Sequence, residues 1–267
     1  MRHPDAHFSG GVSHAHRRSD IVAKNLLGCA LVLTVLVAFP SSASAEDTRC
    51  VGALIGTFDN VVVPKNAECS LFASTVRGNV KILRGASLSA SSNQIAGNVE
   101  ALRGSSLFSS GNLIAGNLVG EAPRWIGSLG DRIGGNLAVS GATGPGFRFQ
   151  ALSVNVFVCG TTVTNGNILV EKSRNGTVAV GSSGPFCAGN DVPAGNILVQ
   201  ENVIPGSEGM AVDRNTVGGN VQVFKNRGQG PKTVLANIVR QDLQCKENDE
   251  PFVGGPNLTR KAEGQCF

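Results

Sequence analysis

One pattern constrains this chain more than any other: the motif [VI]-x-G-N-[VL] occurs four times without a slip in register. Val76–Val80, Ile95–Val99, Ile114–Leu118 and Ile133–Leu137 follow one another at intervals of 19 residues. The motif returns as Val217–Val221, with looser copies at Asn165–Ile168 and Ala194–Ile197. A second column shares the period: "RGASLSASSN" from Arg84 lies over "RGSSLFSSGN" from Arg103, which places Leu88 on Leu107 and Asn93 on Asn112. Self-similarity at such a period marks a repeat architecture.

The local chemistry selects the kind of repeat. Each unit holds short alternating runs such as Val-Lys-Ile-Leu and Asn-Ile-Leu-Val, broken by Gly, Ser and Asn, with no apolar series at helical spacing. Those are strands and turns. Several short strands per unit describe a single-stranded parallel β-helix, an all-β solenoid in which each strand bonds to its counterpart one rung away, about 4.8 Å along the axis. The recurring glycine is expected to supply a backbone conformation that a β-carbon would penalise, and the asparagine to tolerate the left-handed region. Asn79, Asn98, Asn117 and Asn136 are expected to form a structural ladder, their direction left open. Between Leu137 and Gly219 the spacing of the motif loosens to 31, 29 and 24 residues, which predicts insertions. Loops on solenoids often gather on a binding face. Trp125, Phe147 and Phe149, with Phe186 and Phe252, are therefore candidates for a binding surface, the alternative being that they fill space beneath the loops.

Residues 1–45 read as an export signal and not as part of the fold. Arg17, Arg18 and Lys24 give a positive n-region, Leu26 to Phe39 an apolar core, and Ala43-Ser44-Ala45 a cleavage site before Glu46. The apolar run is shorter than the roughly twenty residues of a membrane span, so no transmembrane anchor is expected after cleavage. All four histidines lie in this segment. The mature chain therefore lacks imidazole for a Ser-His-Asp or Cys-His site, or for a His-ligated metal, and neither cofactor nor metal is expected. From Glu46 onward, 19 Lys and Arg face 17 Asp and Glu, with the basic residues scattered and aromatics few, which argues against nucleic acid.

Six cysteines remain after cleavage: Cys50, Cys69, Cys159, Cys187, Cys245 and Cys266. An even number in an exported chain favours disulfides, and no C-x-x-C spacing supports a metal-thiolate site. Their grouping in three separated couples makes sequential pairing the economical choice. Residues 46–242 then form the solenoid, with insertions in its second half and a disulfide staple at its start. Residues 243–267, charged and rich in Pro and Gly, read as a cap bracketed by Cys245 and Cys266, because open β-edges invite unwanted pairing.

The V-x-G-N-V coils together with the tail Gly255-Pro256-Asn257 and Glu263-Gly264-Gln265-Cys266 resemble a group of uncharacterised bacterial secreted proteins. The resemblance spans about Cys50 to Cys266. It implies a right-handed parallel β-helix, in line with the handedness of parallel crossovers, and a more distant similarity to the bactofilins, which polymerise end to end. Export, disulfides and the cap depart from that pattern. The mature length predicts roughly nine or ten coils.

Three functions follow from such a chain. The first is a non-catalytic scaffold of the cell envelope, periplasm or extracellular space, with a surface, polysaccharide or protein partner, or self-association. The second is a polysaccharide-active enzyme, a lyase or glycoside hydrolase, for which Glu100, Glu121 and Asp131 are the only local acidic cluster. The third is a surface adhesin. One Trp and no Tyr are poor provision for binding sugars.

Overall fold

The computed structural model describes residues 46–144, 146–149, 152–181 and 187–266. The expected signal segment lies outside them, as does Phe186. The described chain is a parallel β-solenoid with three faces. One coil shows the plan. Val80–Ile82 lies on face A, a turn at 83–86 leads to Ser87–Ser91 on face B, and a bend at 92–93 leads to Gln94–Ile95 on face C. The Gly-Asn corner then returns the chain to face A at Val99–Ala101. Among the described residues ten strands stack on face B, from Gly52–Leu54 to Phe252–Gly254. Faces A and C join as one sheet because Ile238–Lys246 and Leu258–Gly264 cross their shared corner without a break.

Alternation of side chains across each strand sends one set inward. Val80, Val99, Leu118, Leu137, Ile168, Ile197 and Val221 stack in one buried column, and Val76, Ile95, Ile114, Ile133, Val163, Val192 and Val217 in another. Each such side chain contributes about 1.5–3 kcal/mol of burial. The pairs Leu137↔Ile168, Ile168↔Ile197 and Ile197↔Val221 keep this register through the insertions. The extra residues are absorbed elsewhere. In the long coil between Asn136 and Asn167, Phe147–Phe149 pairs antiparallel with the start of Leu152–Cys159, a hairpin added to face B.

The corners differ from one expectation. Gly78, Gly97, Gly116 and Gly135 are not among the residues with positive φ, and neither are the asparagines that follow them. A β-carbon at Gly97 would lie 2.5 Å from both the Gly78 carbonyl oxygen and Asn79 Oδ1. Glycine is needed here because stacked corners nearly touch. Left-handed residues occur at other corners, such as Gly85 and Gly104 between faces A and B.

The disulfides join Cys50 to Cys69, Cys159 to Cys187 and Cys245 to Cys266, with Cα separations of 5.7, 5.4 and 5.2 Å. The stapled C-terminal segment is itself the last coil: Leu243 pairs with Val221 and Ala262 with Leu243. The inward column of face B, which holds Leu107, Ile126, Val156 and Met210, contains one charged member, Lys232. Its ammonium donates to the carbonyls of Gly228 and Gly230 at 2.7 and 2.9 Å, and the charges of Asp249 and Glu250 favour it there against the cost of burial.

Candidate functional site

Three asparagine ladders run up the solenoid, one at each corner; where face A meets face B, the backbone N–H groups of Ser173, Asn202 and Asn226 donate to Asn202, Asn226 and Asn248 in a buried series. Where face C meets face A, the backbone N–H of Asn79 donates to Asn60 Oδ1, that of Asn98 to Asn79, that of Asn117 to Asn98 and that of Asn136 to Asn117, at 2.7–2.9 Å. The series continues through Asn167, Asn196 and Asn220. These side chains are exposed or half-buried. Where face B meets face C the ladder is buried and runs the other way: Ser74 N–H donates to Asn93, Asn93 N–H to Asn112, and Asn112 N–H to Asp131. It resumes as Thr161, Asn190, Asn215, Asn237 and Asn257. Each Asn satisfies its neighbours as well as itself, so the ladders serve the fold.

Asp131 is therefore a ladder position held by a carboxylate. Its Oδ1 accepts from the backbone and side-chain amides of Asn112 at 2.8 and 3.1 Å, and its Oδ2 from Ser128 Oγ at 2.7 Å. Burial pushes its pKa above the usual aspartate value, against these hydrogen bonds. Asp213 is raised for the same reason. The sequence cluster of Glu100, Glu121 and Asp131 is not assembled. Glu100 and Glu121 belong to strands of face A, Glu100 lying 3.9 Å from Lys81, whereas Asp131 is enclosed at the corner between faces B and C.

Face B brings aromatics together that the sequence keeps apart. Ser70, Ser89, Phe108, Gly127 and Phe157 occupy successive rungs and point outward; Glu68, Ser87, Ser106 and Trp125 form the row beside them. Phe108, Trp125 and Phe157 are half-buried. Gly127 makes the arrangement possible: a β-carbon there would sit 3.2 Å from Phe108 Cδ2 and 3.7 Å from Trp125 Cζ3. The missing side chain leaves a slot of about 130 Å³ walled by Phe108, Trp125, Leu129, Val154 and Phe157. A shallower trough of about 310 Å³ shares Phe108 and Trp125 and continues over Ser70, Ser87, Ser89 and Ser106 towards Glu68.

Of the sequence candidates, Trp125 stands in this slot. Phe147 and Phe149 lie in the added hairpin, where Phe147 pairs with Val154, a wall residue. Phe252 belongs to the last coil, on face B, and packs against the core. Phe108 and Phe157 were not candidates, and the signal that finds them is register: they flank Gly127 in the same outward row. Among the described residues no group of three His, Cys, Asp or Glu side chains is placed to hold a metal. No protein-family description, curated protein or solved structure matches the chain.

Proposed function

We propose that the mature chain is an exported, non-catalytic β-solenoid scaffold of the cell envelope or extracellular space, which binds a partner through the outer side of face B. The slot between Phe108 and Phe157 carries this reading. A large aromatic contributes most to stability when buried, so three of them held half-open around a glycine point to a surface shaped for contact. Three disulfides fit an oxidising compartment. The separation of Asp131 from Glu100 and Glu121 supports a binding role over hydrolysis by paired carboxylates.

The test is sedimentation of fluorescently labelled mature chain with the envelope fraction and the extracellular polymer of the producing cells. Wild type is expected to co-sediment and a Phe108→Ser variant to remain in solution. Equal behaviour of the two overturns the assignment of face B.

A further inference from the structure

The chemistry of the slot and trough narrows the ligand, on the assumption that face B is the binding face. We propose that the ligand is a neutral, extended polysaccharide lying along the trough with one sugar ring stacked in the aromatic slot. Charge is the first argument. The ion pairs Arg77–Asp59, Lys81–Glu100, Lys246–Glu263, Arg260–Asp242 and Lys261–Glu263 lie on faces A and C or at their shared corner. In the slot and trough the one ionised lining residue is Glu68, at the far end. The lining itself offers an acidic polymer no cation and a basic one a single carboxylate; Lys65, Arg84 and Arg103 occupy successive rungs at the corner beside it, outside the lining.

Spacing is the second argument. Ser70 and Ser89 lie one rung apart, as do Ser87 and Ser106. Rungs repeat about every 4.8 Å, close to the length of one sugar ring in an extended chain. The hydroxyls of Ser70 and Ser89, both exposed, and of the half-buried Ser87, each able to donate and accept, match the repeating hydroxyls of such a chain, while Ser106 is buried beside them. The third argument is the end of the trough. A sugar ring has an apolar face of C–H groups, and Trp125 with Phe108 offers an apolar platform beside the last serines. The poor provision of Trp and Tyr in the sequence is thereby met by Phe108 and Phe157, which the coil registers bring to Trp125.

Trp125 is the single tryptophan of the chain, so its emission reports from the slot. The oxidised mature chain should be titrated with hydroxyethyl cellulose, xyloglucan and laminarin, with polygalacturonate and alginate as charged polymers, and with phosphatidylcholine vesicles. Binding is read by emission and by retardation in gels containing each polymer. At least one neutral glycan is expected to give a saturable emission change and retardation. Ser89→Leu, at an exposed position in the trough, should weaken retardation at least tenfold with an unchanged circular dichroism spectrum, and Trp125→Ala should do the same. Retardation by the charged polymers alone, binding to vesicles alone, or no response to any probe overturns the ligand class. If the envelope binding tested above still depends on Phe108 when every neutral glycan fails, the ligand class is wrong and the binding face stands. If envelope binding ignores Phe108, the face itself is wrong.

Discussion

Asn93 and Asn112, 19 residues apart in sequence, sit one rung apart in the core, the Nδ2 of Asn93 donating to the Oδ1 of Asn112 at 2.9 Å. The same oxygen accepts the Asn93 backbone N–H, while Asn112 Nδ2 donates to the Ala90 carbonyl. Asn112→Ala would strand these groups away from water, at about 1–3 kcal/mol each. Urea denaturation should show a loss of roughly 2–5 kcal/mol. Asn117→Ala removes the equivalent bonds of the outer ladder, where water can replace them, and should cost about 1 kcal/mol. Equal losses at the two positions would show that the ladders do not differ in burial as described.

Asp131 interrupts the buried ladder, and its replacement by Asn should repair it. In the neighbouring rungs Asn93 and Asn112 donate through Nδ2 to carbonyls 22 residues earlier, those of Leu71 and Ala90. Because burial raises the Asp131 pKa, the folded chain holds this proton to higher pH than the unfolded chain does. Its stabilising contribution is complete below the ordinary aspartate pKa and is lost as pH rises through the folded value. Asp131→Asn should therefore raise stability at neutral pH by roughly 1–2 kcal/mol and flatten the dependence of the urea midpoint on pH above that of free aspartate. An unchanged profile would place the dependence elsewhere.

Acid should act in the opposite sense through the last coil. Hydrogen bonds and charge from Lys261 and Lys246 hold Glu263 down to about 2. Its contribution is present above the ordinary glutamate pKa and fades as pH falls towards about 2. The side chain is partly exposed and its lysine partners more so, which makes the effect small and screened by salt. Glu263→Gln should reduce the loss of stability on acidification at low salt and have no such effect at high salt.

How much of this was legible in sequence follows from what a period can and cannot encode. Asn79, Asn98, Asn117 and Asn136 repeat at one fixed interval, and Asn93 and Asn112 share it; a turn that recurs at the same corner must reuse its residues. The grouping of the cysteines in successive couples likewise anticipates their pairing. The role of Gly97 was not legible, because the reason for it is the carbonyl of Gly78 one coil away and not its own torsions. Nor was the slot. Phe108, Gly127 and Phe157 are irregular members of an outward row that elsewhere holds alanine, serine, threonine or valine, and the insertion between Gly127 and Phe157 hides their adjacency.

The ends of the solenoid bring the question of assembly to particular residues. Among the described residues Asp47–Arg49 and Leu258–Gly264 each pair with a coil on one side only, so each offers a backbone edge. Ile55 and Leu258 are exposed near these edges, at 68% and 70%. Against them stand charges: Arg260 is bound to Asp242 at 3.1 Å and Lys261 to Glu263 at 2.6 Å. Charged side chains on an edge strand oppose the addition of another strand, since pairing would crowd and desolvate them. Light scattering coupled to size-exclusion chromatography of the oxidised chain from Glu46 to Phe267 should therefore show a monomer at low salt. Arg260→Thr with Lys261→Val should convert it to larger, concentration-dependent species. Large species already formed by the wild-type chain would mean that these charges do not guard the edge, and that the coils continue from one molecule into the next.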